Sequence, residues 1–202
     1  MLSLDELIHE AEIAHGHLCA GQVLGVRLAM VGLAKLGIDD PRGKDRKRIV
    51  TFVEIDRCAT DAISVVTGCR LGKRALKFRD WGKMAATFVD LNTPIADEGG
   101  NSYKAIRVAA KESSKKLARE MHPEIENKNQ QQMLAYREMK DDDLFSTEWV
   151  KVELPAGEFP GFKGERIVCA ECGEGVNYQR QVMRDGRILC RACAGEAYYR
   201  AL

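Results

Sequence analysis

Four of the seven cysteines form two closely spaced pairs near the C-terminal end of the chain, Cys169 with Cys172 and Cys190 with Cys193. Two residues separate the members of each pair, and 17 residues separate the pairs. Each pair can direct two thiolates at one metal ion from a tight turn, and a hairpin through Asp185-Gly186 would bring the pairs together. The spacing predicts a structural zinc site, because a module of roughly 40 residues rarely folds by apolar burial alone.

A second group of potential ligands lies near the N-terminus, where His15, His17 and Cys19 occupy alternate positions. In a turn all three side chains can face one side, whereas in a helix only His15 and Cys19 would share a face. Gly16 and Gly21 favour the turn. Cys19 would then lie just before a helix, whose positive N-terminal end stabilises a thiolate.

Three more candidates, Cys58, Asp61 and Cys69, follow a β-branched run of the sequence. Cys58 comes directly after the predicted strand, where open sheets present their functional loops. Asp61 follows about one helical turn later. Cys58 and Cys69 could instead be small buried side chains, which is the usual state of a reduced cysteine.

Together these residues predict a second metal site in the body of the protein. We expect His17, Cys19 and Cys58 to be its ligands, a set that suits zinc or iron. A site with three protein ligands would leave one position open to water or a substrate. The candidates for catalysis are His15 as a ligand or proton carrier, Cys69 as a fourth ligand or reactive thiol, and Asp61 as an acceptor that orients a ligand.

The elements that must position these residues follow from the periodicity of apolar side chains. Helical spacing predicts helices at approximately residues 3–14, 22–36, 59–67 and 102–121. β-Branched and alternating runs predict strands at residues 48–55, 76–78, 84–91 and 149–154. Strands flanked by helices predict an α+β fold for the body.

A segment rich in proline and glycine, residues 154–164, divides the chain. It can continue neither a helix nor a central strand. We therefore predict an α+β domain over residues 1–154, a linker over residues 155–164 and a four-cysteine, zinc-ribbon-like module over residues 165–202.

Several ordered motifs resemble the FmdE family, which is named for a component of formylmethanofuran dehydrogenase. These motifs are His15-Gly-His-Leu-Cys-Ala-Gly21, Gly25-x-Arg27, Arg57-Cys-Ala-Thr-Asp61, Thr67-Gly-Cys-Arg-Leu-Gly-Lys73 and Trp81-Gly-Lys83. The C-terminal module resembles the zinc finger that many members carry. Two positions depart from the pattern: Ala20 stands where the family usually has proline, and Arg70 where threonine is common.

The resemblance implies an α+β domain, usually a homodimer, with a metal pocket at the His17, Cys19, Cys58 and Cys69 positions. It also implies a relation to enzymes that use molybdenum or tungsten to reduce carbon dioxide onto methanofuran. We therefore expect either an accessory subunit in the redox metabolism of one-carbon units or a free-standing relative of one. The resemblance leaves open whether the chain is itself an enzyme.

Composition bears on partners and compartment. The chain has 31 Lys and Arg against 30 Asp and Glu, a net charge of +1, which gives no long-range field to attract nucleic acid. The longest apolar-rich stretch, residues 23–36, contains Arg27 and Lys35, so we expect no membrane span. Residues 1–10 lack the basic start and cleavage site of a secretory signal, so we expect a cytoplasmic protein with reduced thiols.

A zinc-finger regulatory protein that binds nucleic acid or a protein partner is the alternative. Residues 42–48 hold five basic residues in seven, which could contact phosphates, and three tyrosines of the C-terminal module could stack on bases: Tyr178, Tyr198 and Tyr199. Lys83, close to Trp81, could meet an anionic substrate. Such basic runs are more often solvated loops, so nucleic acid is not the partner we expect.

Overall fold

A computed structural model of the chain describes residues 1–96, 101–200 and 202. They form two compact units, Met1–Glu153 and Leu154–Leu202. Residues 155–164, which the sequence suggests as a linker, belong to the second unit. In the described part of the chain, no helix is both long and apolar enough to cross a membrane.

Among the described residues, the first unit combines six α-helices with a five-stranded sheet, which confirms the predicted α+β class. The helices are α1 (Leu4–His15), α2 (Ala20–Leu36), α3 (Cys58–Thr67), α4 (Ser113–Met121), α5 (Lys128–Glu138) and α6 (Asp141–Leu144). The strands are β1 (Ile49–Val53), β2 (Leu76–Phe78), β3 (Ala85–Ile95), β4 (Ser102–Ala110) and β5 (Phe145–Glu153). Their order in the sheet is β2-β1-β3-β4-β5, with β1 and β2 parallel and all other pairs antiparallel.

Helices α1, α2 and α3 begin and end where local sequence signals place them. Ser3 and Glu6 form a capping box at the start of α1, with the Ser3 N–H donating to Glu6 Oε2 over 2.8 Å. Gly37 and Gly68 end α2 and α3 in the left-handed region, with φ of 64° and 69°. These boundaries agree with the sequence to within a residue or two.

One predicted helix is wrong over half of its length. Residues 102–110 form β4, which pairs with β3 on one side and β5 on the other, and a helix begins only at Ser113. β4 is a central strand, and several of its residues on both faces are buried. Its apolar residues therefore recur at helical spacing as readily as in alternation, and periodicity alone could not separate the two structures.

Helix α2 lies at the centre of the body because two glycines let it approach its neighbours closely. A Cβ on Gly25 would stand 2.5 Å from the carbonyl oxygen of Ala59 in α3, and one on Gly32 would stand 2.2 Å from the ring of Phe88 in β3. Arg27, on the same helix, donates to the carbonyl oxygens of Tyr136 and Met139 at the end of α5. Gly25 and Arg27 thus hold the helices together and do not reach the candidate site.

The second unit contains two short hairpins. The first pairs β6 (Ile167–Val168) with β7 (Gly175–Val176), and the second pairs β8 (Val182–Arg184) with β9 (Arg187–Leu189). Asp185 and Gly186 connect β8 to β9 with φ of 49° and 72°, both left-handed, as the two-residue turn requires. The hairpin predicted between the two cysteine pairs is therefore present.

Candidate metal centres

The C-terminal unit brings its four cysteines together. The sulfurs of Cys169, Cys172, Cys190 and Cys193 all lie within 4.8 Å of one another. Two backbone amides point at these sulfurs: the Cys190 N–H donates to Cys169 Sγ over 3.2 Å, and the Cys193 N–H to Cys190 Sγ over 3.4 Å. The distances fit a single ion held by four thiolates.

The pKa values of Cys169 and Cys193 are shifted in opposite directions. Backbone N–H groups of the two pairs lower the pKa of Cys169 to about 6. A hydrogen bond with Cys190 and burial raise the pKa of Cys193 to about 12. One thiolate therefore forms readily, and further negative charge is opposed by its neighbours. A divalent cation removes that opposition, because it balances the charge of the thiolates.

In the body, the structure brings together the three N-terminal candidates. The ligand atoms of His15, His17 and Cys19 lie within 4.8 Å of one another, and the two imidazole centroids are 4.7 Å apart. His15 is the last residue of α1, Gly16 turns the chain with φ of 93°, and Cys19 is the N-cap of α2. The three residues thus lie in the sharp turn between two helices, with His17 exposed and Cys19 half-buried.

Asp61 holds the ring of His15 from the neighbouring helix. Its Oδ2 lies 2.8 Å from His15 Nδ1. A histidine that donates its Nδ1 proton to a carboxylate presents the lone pair of Nε2, which is the common arrangement for metal-binding histidines. Asp61 therefore lies where it can fix the orientation of the His15 ring.

Cys58 is the first residue of α3, and its thiol lies beside that of Cys19. Burial, a hydrogen bond with the Cys19 thiol and the charge of Cys19 raise the pKa of Cys58. Gly21 makes this approach possible, because a Cβ there would stand 3.2 Å from Cys58 Cβ and 3.6 Å from Cys19 Sγ. Cys58 thus lies beside Cys19, but outside the group of His15, His17 and Cys19 whose ligand atoms lie within 4.8 Å of one another.

Cys69 occupies a different environment. Its side chain is only 1% exposed and belongs to the hydrophobic core. The Thr51 hydroxyl donates to its sulfur over 3.4 Å, the Ile49 carbonyl lies 3.8 Å from it, and burial raises its pKa. The structure therefore does not place Cys69 with the described His15, His17 and Cys19 cluster, and this geometry gives no support to a fourth ligand or reactive thiol at position 69.

Two residues that sequence reasoning missed fix the starts of the helices that carry the thiols. Gln22 is fully buried, and its Nε2 donates to the Cys58 carbonyl oxygen over 2.6 Å. Asn129, in α5, accepts the Ala20 N–H over 2.9 Å. A proline at position 20 would have no N–H to donate, so this bond depends on the departure from the family pattern. A polar Gln22 inside an apolar run was the one available signal.

The basic segment 42–48 has partners within the chain. Arg48 donates to Asp90 over 2.7 Å and to Asp45 over 3.1 Å, and Arg42 pairs with Glu10. These carboxylates hold at least two of the five basic side chains in place and neutralise their charge locally.

Lys83 lies on a loop that is fixed to the end of β1. The N–H groups of Trp81 and Lys83 both donate to the Glu54 carbonyl oxygen, over 3.2 and 3.1 Å. Glu54 is itself held by a two-pronged ion pair with Arg107, with both distances 2.7 Å. The ammonium of Lys83 lies 5.7 Å from the centroid of the exposed Trp81 ring.

Each of the two units is matched by a model of a known protein family. A family model described as "FmdE, Molybdenum formylmethanofuran dehydrogenase operon" matches residues 14–146. The chain belongs to the FmdE family. A second model, described as a prokaryotic dksA/traR C4-type zinc finger, matches residues 163–199 of this FmdE protein, a range that includes all four clustered cysteines.

Two individual proteins are similar to this FmdE chain over nearly its full length. A "Probable S-adenosyl-L-methionine-binding protein" of Archaeoglobus fulgidus is 31% identical over 217 residues, which cover 96% of this chain and 54% of the relative. This chain thus spans about half the length of that relative. The crystal structure of a tungsten formylmethanofuran dehydrogenase FmdE-like protein from Syntrophus aciditrophicus shares the fold. Its TM-score is 0.63 at 20% identity, covering 98% of this chain and 95% of that one.

Proposed function

We propose that this FmdE protein binds two metal ions per chain, a structural zinc ion in the C-terminal finger and a functional zinc or iron ion in the body. The observation that carries the second site is the convergence of His15, His17 and Cys19 within 4.8 Å, with His15 oriented by a carboxylate. Two imidazoles and a thiolate suit zinc or iron. Three such ligands leave one position of a tetrahedral ion for the neighbouring Cys58, for water or for a substrate.

The body ion would supply the chemistry of a Lewis acid, which polarises an oxygen bound to it. Residues of this chain would hold the ion and orient its ligands. His17 and Cys19 would hold the ion, His15 would hold it through Nε2, and Asp61 would keep the His15 ring in that orientation. His17 is exposed, so a ligand from solution can reach the ion on that side.

We propose further that the chain acts in the cytoplasm as an accessory subunit of a molybdenum or tungsten dehydrogenase of one-carbon units, as a homodimer. The support is family membership and the description of the family model, which refers to a molybdenum formylmethanofuran dehydrogenase operon. Co-purification of a tagged chain from a cell that makes such a dehydrogenase tests the association. If the tagged chain, with both metals bound, purifies at low salt without the dehydrogenase, the proposed association is wrong.

Metal analysis of the purified full chain tests the two sites. We expect about two metal ions per chain, falling to one in the Cys19→Ser, Cys58→Ser double variant. Cys69→Ser is the matched control, since it removes a thiol that lies in the core, and it should keep both ions. An unmodified chain with a single ion, retained in the double variant, would show that the body site is wrong.

The structure gives less support to the alternative function, a zinc-finger regulatory protein that binds nucleic acid or a protein partner. Its basic segment is partly neutralised by Asp45, Asp90 and Glu10. Salt-dependent binding of a DNA or RNA duplex that is lost when Arg46 and Lys47 are neutralised would revive it.

A further inference from the structure

Two thiols of the body lie at the starts of two helices that meet. Cys19 is the N-cap of α2, and Cys58 is the first residue of α3. Neither helix has a side-chain cap at its N-terminus. Both cysteines are half-buried, so small solutes can reach them.

Close packing of α2 against α3 keeps these thiols together. The Cβ of Cys58 and the sulfur of Cys19 are 3.2 and 3.6 Å from the same point, the position that a side chain on Gly21 would fill. The bond from Gln22 to the Cys58 carbonyl and the contact of Gly25 with Ala59 fix the two helix starts. The two side chains thus border the same small space between α2 and α3. A disulfide requires Cβ atoms roughly 4 Å apart, so the bond would form across this space.

The other cysteines are not placed to compete for this partner. Cys69 is enclosed in the core against Thr51 and Ile49. The remaining four lie together in the C-terminal finger, where a zinc ion would occupy their thiolates. Among the described residues of the body, Cys19 and Cys58 thus form the one cysteine pair whose members are both near each other and open to solvent.

We propose that Cys19 and Cys58 form a reversible disulfide when the body site is empty of metal, with hydrogen peroxide as the oxidant. The Cys19 thiolate attacks one oxygen of the peroxide, the O–O bond breaks, and sulfenic acid and hydroxide result. The Cys58 thiol then attacks the sulfenic sulfur, its proton leaves with the departing hydroxyl as water, and the S–S bond forms. The two sulfurs lose two electrons in total, and the peroxide is reduced by two.

The disulfide would regulate the site of the proposed function. It removes Cys19 and Cys58 from the set of ligands, so an oxidised body cannot bind its metal until a thiol reductant reopens the bond. Conversely, a bound ion occupies the thiolates and slows their reaction with peroxide. This regulatory step rests on the proposed function, whereas formation of the disulfide in the metal-free protein does not.

The experiment treats the full chain, freed of metal by a chelator, with a small excess of hydrogen peroxide. Free thiols are then alkylated, and the chain is digested and analysed by mass spectrometry. We expect peptides containing Cys19 and Cys58 to be linked, with loss of both alkylatable thiols, and we expect dithiothreitol to restore them. In the Cys58→Ser variant, Cys19 should accumulate as sulfenic acid that a dimedone probe captures, and Cys69→Ser should behave as the unmodified chain.

Three outcomes overturn the proposal: Cys19 linked mainly to a cysteine of the finger, both thiols still free after the finger has oxidised, or Cys19 and Cys58 each driven to sulfinic acid without a link. Addition of zinc before peroxide separates this proposal from the metal site. If zinc binds the body, it should protect both thiols. If linkage occurs equally with and without zinc, the disulfide stands and the metal site of the proposed function fails.

Discussion

In the C-terminal finger all four clustered cysteines come from one stretch, residues 169–193, and the surrounding strands are two or three residues long. In the body the candidate ligands lie at the end of α1 and the starts of α2 and α3, and a core of about thirty buried residues holds these helices in place. The finger has few buried apolar side chains of its own, Cys169 and Leu189 among them. The comparison teaches that the finger has little apolar core to hold its cysteines in place, whereas helix packing alone positions the candidate ligands of the body.

The largest effect that follows from this contrast is the response to a chelator. Structural zinc contributes on the order of 10–16 kcal/mol in modules of this kind, so removal of metal should unfold the finger and leave the body folded. Hydrogen exchange measured by mass spectrometry should show loss of protection over residues 165–196 and unchanged protection in α2 and β3. Equal loss of protection in both units, or in neither, would break the comparison.

A substitution in the body core should destabilise the body and leave the finger folded. In Gly25→Ala the new methyl would overlap the backbone of Ala59, which cannot move aside without moving α3, and overpacking of this kind costs about 1–3 kcal/mol. Thermal unfolding of the body should shift to lower temperature while the finger keeps its zinc. Gly72→Ala is the control, because a Cβ there meets no atom within 4 Å, and its stability should change by no more than about 0.5 kcal/mol. A Gly25→Ala chain as stable as the control would contradict the packing described.

The smallest effect concerns one hydrogen bond at the body site. Asp61→Asn keeps the size of the side chain but weakens its hold on His15, and loss of such a partner costs roughly 10–100-fold in metal affinity. Competition with a coloured chelator should show that loss for the body ion and none for the finger. Asp56→Asn, an exposed carboxylate on the loop before α3, is the matched control. Equal affinities in the two variants would remove Asp61 from the site.

Sequence reasoning succeeded where the structure depends on neighbours along the chain. The capping box at Ser3, the stops at Gly37 and Gly68, and the turn at Asp185-Gly186 all depend on a few adjacent residues. It failed at residues 102–110, where pairing with β3 and β5 decided in favour of a strand. Strand pairing joins distant segments, and a strand buried on both faces carries no distinct alternation.

Cys58 and Cys69 show the same limit at the candidate site. Both follow local signals that are compatible with a ligand and with a buried side chain. The packing of α3 against α2 puts Cys58 beside Cys19, while the end of the same helix directs Cys69 towards β1. Nothing local to either cysteine distinguishes them.

The sequence by itself determined that the four cysteines of the finger come together, because two pairs with fixed spacing can converge through one hairpin. It also determined that His15, His17 and Cys19 alternate in a turn between helices. Only the tertiary structure decided that Asp61 hydrogen-bonds to His15 and that Cys58 lies beside Cys19. It also decided that Cys69 lies in the hydrophobic core, away from these residues. These contacts join residues 39 to 46 positions apart, and such contacts are set by how closely helices can pack, here through Gly21 and Gly25.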